Sequence, residues 1–325
     1  MNKNIKKLTM LLFVAATTLA VASCSKDDDN NGGGGGSTPT EEPTPDPPPG
    51  PAPDPTSDGF DANGASAALF SISSWDLVRF SKGNLQYNAS TDTWRFAEKQ
   101  TDHIGAENNK IADDNTNWID LFGYGTSGWE SGAEAYQPWS TASSYSKYLN
   151  QDLADAYEEA DWGAHNAIAN GGNRAGMWRT LTKDEWSFLL NSRNASTVGG
   201  AANGRFAKAT VSGVKGLILF PDEYEHPDGV EQPSSVNDGG ASFSANSYAP
   251  SHFSKMQSAG AIFLPITGYR SGYQILERDN YGHYWSASAT SSYSSYALTF
   301  NPLNLTVTDI DRSGGRAVRL VMDAE

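Results

Sequence analysis

Cysteine is almost missing from this chain: among 325 residues only Cys24 carries a thiol. One thiol can neither close an internal disulfide nor supply a thiolate ligand set, so a disulfide scaffold and a zinc ribbon are both excluded. Basic residues are scarce as well. Lysine and arginine total 23 against 38 acidic residues, a formal charge of −15 at pH 7. Such a surface repels phosphate backbones, so nucleic acid is not an expected partner. The five histidines, His103, His165, His226, His252 and His283, are widely spaced, and no His-Glu-x-x-His string places two of them on one helix face. Gly-x-x-x-x-Gly-Lys-Ser/Thr and Gly-x-Ser-x-Gly are also absent, which leaves phosphate-loop and serine-hydrolase chemistry without an anchor.

What is present divides the chain unevenly. "MNKNIKK" supplies Lys3, Lys6 and Lys7, the run "LTMLLFVAATTLAVAS" is apolar and ends in small residues, and Cys24 follows. That order predicts a secretory signal peptide over residues 1–23. The run is too short, and too closely followed by charge, for a permanent membrane span. "AVASC" resembles the lipobox of bacterial lipoproteins, which implies that Cys24 becomes an acylated first residue, held in a bilayer by about 0.8 kcal/mol per buried methylene. "SKDDD" resembles the acidic export signal of surface lipoproteins in Bacteroides-like bacteria. Together these resemblances imply a lipid anchor in the bacterial outer membrane and exposure on the cell surface. After Cys24, residues up to 59 are rich in glycine, proline and aspartate, with almost nothing apolar to bury, and read as a disordered tether. Its glycine part is flexible; its proline part is extended at about 3.1 Å per residue.

The folding unit is expected over residues 60–325, enough chain for one substantial core. Short apolar runs at residues 77–80, 85–87 and 94–96, separated by "SKGN" and "NASTDT", predict an antiparallel meander. "NTNWIDLFGYGTSGWESGAEAYQPWS" sets Trp118, Trp129 and Trp139 among small residues without helix or strand period, predicting long ordered loops packed by their own rings. A helix is expected from near Leu153, interrupted near Gly163.

The clearest local signal is "LTKDEWSFLLNSR". Thr182 can cap, Glu185 completes a capping box, Leu181 can staple onto Trp186, and Trp186, Leu189 and Leu190 share one face. This predicts a helix from Lys183 to about Arg193. Residues 217–220 and 261–264 read as strands stopped by Pro221 and Pro265, with a polar insertion between them too poor in apolar residues to form its own core. "GHYWSAS" and "SSYALTF" predict a hairpin with an aromatic inner face, and "GRAVRLV" a final strand. The sum is α+β: two main helices, short and mostly antiparallel strands, and long ordered loops.

Trp129, Tyr136, Trp139, Tyr273 and Tyr281 stand in glycine- or serine-rich loops, and Tyr293 lies at the hairpin's end. These six are the candidate ligand contacts, because exposed Trp and Tyr offer sugars and peptides a flat amphipathic surface. The other reading of the same rings is a satellite core beneath the loops. Among the abundant carboxylates, Asp120, Glu130, Glu134, Asp222 and Glu223 cannot be paired by sequence into a glycosidase site. Asp184 and Glu185 are accounted for at a helix N-terminus. "DDNTNWID" and "FPDEYEHPD" gather oxygen donors that could hold calcium, without EF-hand spacing. No other cofactor is indicated, and His283 lacks partners for catalysis. Arg270, Arg316 and Arg319 either anchor carboxylates or pair with internal acids such as Asp309 and Asp311.

Four motifs, "RTLTKDEWSFLL", "GAIFLPITGYR", "GHYWSAS" and "GRAVRLV", carry a wider resemblance. The residues are Leu181, Thr182, Glu185 and Trp186; Gly268, Tyr269 and Arg270; Tyr284, Trp285 and Ser286; and Gly315, Arg316, Val318, Arg319 and Leu320. Over roughly residues 77–321 the chain is similar to the Fibrobacter major paralogous domain and related Bacteroides cell-surface proteins. These are relatives of the C-type-lectin-like fold shared by formylglycine-generating proteins. The resemblance implies a C-type-lectin-like α+β domain acting as a noncatalytic binding or adhesion module for a glycan, a host protein or an envelope protein. A structural accessory or tip subunit of a surface assembly, and a polysaccharide hydrolase, are the alternatives. The cysteines of the formylglycine-generating enzymes are missing after Cys24, so their catalytic role is not carried over. The Glu-Pro-Asn or Gln-Pro-Asp and Trp-Asn-Asp calcium motifs of animal lectins are missing too.

Cys24→Ala is expected to abolish fatty-acid labelling and to move the protein from the membrane fraction to the soluble one, as read by metabolic labelling and fractionation.

Overall fold

In strand Phe206–Val211, sequence FAKATV, side chains alternate between two different apolar clusters. Phe206 joins one, while Ala207, Ala209 and Val211 join another on the opposite face. The neighbouring strands Val214–Leu219 and Ile262–Pro265 repeat this: Leu217, Leu219, Ile262 and Leu264 face the first cluster, Ile218 and Phe263 the second. A strand buried on both faces reads as a continuous apolar run, which is why "LILF" and "AIFL" show no alternation in the sequence. The short strand Ser247–Tyr248 completes this four-stranded sheet, parallel to Phe206–Val211 at its edge.

The structure is a computed structural model and describes residues 58–130, 134–140, 152–154 and 158–324. All of these belong to the second of the chain's two units, residues 51–325. Cys24, the signal region and the tether up to residue 57 lie outside the described residues.

The hairpin Gly282–Ala289 and Ser294–Asn301 is buried on two sides and forms a second sheet with the half-exposed edge strand Asn304–Asp311. Tyr284, Leu298 and Phe300 enter the first apolar cluster; Trp285, Ala287 and Ala297 enter a third. The expected single aromatic inner face is therefore corrected: Trp285 and Phe300 are both core, on opposite faces of one sheet. Gly282 is paired with Phe300, and a Cβ there would collide with the Phe300 ring. Two sheets thus separate three apolar layers, and the middle layer is common to both.

Helix α1 (Trp162–His165) is a single turn, α2 spans Lys183–Asn191 and α3 spans Pro250–Ser258. In α2 both halves of the predicted capping box form: Glu185 N donates to Thr182 Oγ1 at 3.2 Å, and Thr182 N to Glu185 Oε2 at 2.7 Å. Leu181, Trp186, Leu189 and Leu190 all lie in the middle layer, as stapling and helix phase require. Of the helix expected from Leu153, residues 155–157 lie outside the described residues; the described part is a turn at residues 158–160 followed by α1, capped by Asp161. Gly163 lies inside α1 and does not break it: a Cβ there would meet the carbonyl oxygen of Trp178, so the glycine permits close approach. Helix α3 was not legible as a main helix; its signal is Pro250 at the first turn with Phe253 and Met256 one turn apart. Both side chains cover the outer face of the four-stranded sheet, where Tyr224, Val230 and Tyr248 of the polar insertion join them.

The expected meander is also corrected. Leu77–Phe80 pairs with Phe70–Ser71 and with the C-terminal Val321–Asp323, whereas Leu85–Asn88 pairs with Thr93–Phe96 and Trp118–Ile119. Ser81 N donates to Leu320 O and Leu85 N to Val318 O, so the C-terminal segment lies where a hairpin partner would. "GRAVRLV" accordingly makes separate bridges to Arg270, Phe122 and Tyr284 before its short strand, whose first residue, Val321, bridges Arg179. The architecture is a mixed α+β arrangement of several short antiparallel sheets and few short helices. Among the described residues no helix is long and apolar enough to cross a membrane.

Trp186→Ala is expected to destabilise the fold by about 3–5 kcal/mol through the cavity it leaves in the middle layer. Thr182→Ala should cost about 1 kcal/mol through the lost cap. Urea unfolding of both variants checks the ranking.

Candidate functional site

Hairpin Leu85–Asn88 and Thr93–Phe96 places Tyr87 directly opposite Trp94, with ring centroids 4.6 Å apart. Cross-strand aromatic pairs of this kind stabilise a short hairpin. Trp139, from the aromatic loop, also stacks on Tyr87, at 6.3 Å and 23°. The hairpin's turn ends at Asp92, a non-glycine residue at φ +47, and its carboxylate accepts from the Tyr87 hydroxyl at 2.9 Å. Burial and the Asp92 charge push the Tyr87 phenol well above its ordinary range, so it stays a donor.

These rings form one side of a cavity of about 690 Å³, with Tyr273 on its wall and the carboxylates of Asp92, Asp113 and Glu134 along its lining. Tyr273 is 65% exposed, at the turn between strands Tyr269–Ser271 and Gln274–Leu276. Asn166 Nδ2 reaches the Ser127 carbonyl at 3.0 Å, which ties α1 to the aromatic loop at the cavity wall.

A buried guanidinium organises this wall. Arg270 donates to the carbonyls of Ser140 at 3.1 Å, Gly272 at 3.3 Å and Leu121 at 3.4 Å. Ser140 follows Trp139 and Gly272 precedes Tyr273, so one side chain holds the backbone next to two of the cavity's rings. Arg319, likewise buried, donates to Asn84 Oδ1, Gln100 Oε1 and Phe263 O. Arg316 donates to the Gly315 carbonyl and lies 4.4 Å from the Tyr269 ring centroid. Desolvation lowers all three guanidinium groups to about 10. Neither expected role holds for Arg270 and Arg319: their partners are carbonyl and amide oxygens, not a ligand's carboxylate or Asp309 and Asp311.

Comparison of the chain with protein-family models, curated proteins and solved structures returned no match. The site is read from its own chemistry.

Of the six predicted contacts, Trp139 and Tyr273 line the cavity together. Tyr136 is corrected from contact to core, at 3% exposure, because its ring is needed to support Trp129, 5.1 Å away. Trp129 itself is half-buried against the same core. Tyr281, half-buried, stacks on His283 at 5.4 Å, and Tyr293 is exposed at the far end of the hairpin; neither lines the cavity. Tyr87, Trp94 and Asp92 were missed as lining residues, and Asp113, which begins the stretch considered for calcium, lines the cavity with them. The available signal was "YNASTDTW", a turn with an aromatic residue at each end and an acid inside it.

In each oxygen-rich stretch one buried or half-buried carboxylate is occupied internally. Asp120 is buried and accepts from Ile104 N and Asn108 Nδ2, burial raising its carboxyl above the ordinary value. Asp222 takes Arg193 at 2.6 Å and Ser71 N at 2.9 Å. Among the described residues no group of three or more His, Cys, Asp or Glu side chains could hold a metal ion, so the calcium expectation finds no cluster there.

His283 is buried, with Nδ1 3.1 Å from Thr299 Oγ1. Desolvation first, and the Arg316 charge second, lower it to about 3. The unfolded chain therefore binds a proton near pH 6.5 that the folded chain refuses until about pH 3. Its contribution is fully present above pH 6.5 and is lost as pH falls, with a slope approaching about 1.4 kcal/mol per pH unit. His283→Gln is expected to flatten this acid loss relative to the parent, measured by urea unfolding from neutral to acidic pH; parallel curves would refute it.

Proposed function

We propose that this protein is a noncatalytic glycan-binding module, carried at the outer membrane by acylated Cys24 and lifted from the surface by the proline- and glycine-rich tether. In this reading its α+β domain is C-type-lectin-like and related to the Fibrobacter major paralogous domain and Bacteroides cell-surface proteins, on the motifs given above.

One observation carries the glycan reading: Trp139 and the exposed Tyr273 share a cavity whose remaining lining is largely polar. Saccharide rings offer an apolar C–H face and a polar perimeter. Aromatic rings match the first, and Asn166, Gln137 and the lining carboxylates can hydrogen-bond the second. Arg270 supports the reading further, because a wall held by buried hydrogen bonds loses little freedom when a ligand arrives.

A structural-subunit reading draws on a different feature. Among the described residues strand Asn304–Asp311 pairs only with Ser294–Asn301 and forms an eight-residue sheet edge, with Leu303 85% exposed beside it. Such an edge can accept another strand.

A glycan array probed with the full chain is expected to return binders whose affinity drops at least about tenfold in Trp139→Ala and Tyr273→Ala, the loss expected of a central aromatic contact. Tyr293→Ala should bind as the parent does. An empty array with an envelope protein recovered by cross-linking at Asn304–Asp311 would replace this reading with the structural one, and release of reducing ends would replace it with hydrolysis.

A further inference from the structure

Edge strand Asn304–Asp311, sequence NLTVTDID, keeps an unbroken register with Ser294–Asn301, from Asn304 opposite Asn301 to Asp311 opposite Ser294. In an antiparallel ladder, alternate residues direct both backbone groups to the same neighbour. Asn301 and Asn304 face each other across a two-residue turn, and Arg312 N donates to Tyr293 O, so the even-numbered residues bond the hairpin. Val307 and Asp309 therefore turn N–H and C=O outward, and among the described residues no hydrogen bond reaches these groups.

Sheet edges are ordinarily blunted by shortness, lysine, proline, a bulge or a cover. This one is eight residues long, has neither lysine nor proline nor bulge, and is covered at one end only. There Gly239 packs on Leu305 so closely that a Cβ would lie 3.5 Å from Leu305 N, and Lys208 holds it by donating to the carbonyls of Gly239, Asn301 and Asn304. Residues 306–311 stay open. Asp309 and Asp311, both exposed, share a face with Val307; their cross-strand neighbours Tyr296 and Ser294 carry no charge, and Asp309 enters no salt bridge among the described residues.

Those carboxylates decide what the edge admits. A second copy pairing antiparallel must set outward residues against outward residues. Centred on Asp309 or Ile310 it opposes carboxylate to carboxylate; centred on Thr308 it lays each Asp309 against Val307; centred on Val307 it needs Leu305, which Gly239 covers. Each copy also brings a formal charge of −15. A basic strand meets none of these obstacles.

We infer that residues 306–311 accept an extended polypeptide as a fourth, antiparallel strand of this sheet, carrying lysine or arginine opposite Asp311 and Asp309 and an apolar residue opposite Val307. Its pattern from N- to C-terminus is basic-x-basic-x-apolar. Main-chain hydrogen bonds at Val307 and Asp309 supply affinity, and the alternate side chains supply selection. This rests on the strand-accepting edge of the structural-subunit reading and narrows its partner; none of these residues lines the groove, so the glycan reading stands or falls separately.

The probe is the synthetic peptide K-T-K-T-V-T, blocked at both ends and titrated into the full chain by calorimetry. It is expected to bind, to lose affinity as salt is added, and to slow hydrogen exchange at the Val307 and Asp309 amides, read by NMR. The peptide E-T-E-T-V-T should not bind. Asp309→Lys, at an exposed position, should fold as the parent does by circular dichroism and bind the basic peptide roughly tenfold more weakly, attraction having become repulsion. Methylating the backbone nitrogen of the peptide's second lysine, whose N–H faces the Asp309 carbonyl, should abolish binding with the charge intact. Equal binding of the acidic peptide, or unchanged affinity in Asp309→Lys, would overturn the basic partner and leave a strand-accepting edge. Undiminished binding of the methylated peptide would overturn strand addition and leave charge attraction alone. Protection of the same amides by raised protein concentration would put a second copy in the partner's place. Binding of neither peptide, with both amides unprotected, would overturn this inference and the structural-subunit reading together, while the glycan array reports on the groove independently.

Discussion

Arg270 donates its guanidinium hydrogens to the carbonyls of Leu121, Ser140 and Gly272, from a position with no exposed surface. A buried cation costs several kcal/mol in lost hydration, recovered only when its donors are met in good geometry. Here they are met by backbone carbonyls from segments far apart in the chain. That requirement runs both ways: the carbonyls need the donors as much as the cation needs the acceptors, because an unpaired buried carbonyl is itself costly. The rings of Trp139 and Tyr273 are neighbours in space because the residues beside them share this one side chain.

Other polar ends of core side chains follow the same logic. Trp285 Nε1 donates to Phe122 O at 2.7 Å, Tyr124 to Ala287 O at 2.6 Å, and Tyr284 to Pro265 O at 2.8 Å. Lys208 extends its ammonium to the carbonyls of Gly239, Asn301 and Asn304, tying the polar insertion to the last hairpin turn; burial lowers that ammonium to about 8. Long loops carry many backbone groups that no ladder satisfies, and this chain satisfies them from inside. At the groove this is done by Arg270, which holds the backbone at Ser140 and Gly272 beside two of its rings, as a preorganised site needs.

Where the legibility of the sequence ended has a physical pattern. Helix α2 was readable because a capping box and staple act over four or five residues, and Thr182, Glu185, Leu181 and Trp186 meet those demands locally. The hairpin at residues 282–301 was readable for the same reason, as two strand-like runs around a serine-rich turn. Its two-faced burial was not, since period-2 alternation normally implies one wet face and nothing local announces a second core. Strand Asn304–Asp311 was missed because as an edge it is polar and half-exposed, and Phe206–Val211 because Lys208 and Thr210 interrupt its apolar run. Among the candidate contacts, Tyr136 and Trp139 stand three residues apart in the same loop, and no sequence rule says which ring goes in.

The sequence alone determined the α+β composition, the local helix α2, the negative charge and the aromatic loading of the loops, since each depends on neighbours in the chain or on totals. Tertiary structure decided which aromatics support the wall and which line it. It also placed Asp92 and Asp113 from one part of the chain beside Tyr273 from another, and set buried arginines against carbonyls where acids were expected. Contacts across more than a hundred residues of chain follow from satisfying every buried donor and acceptor at once, a condition that only the folded molecule states.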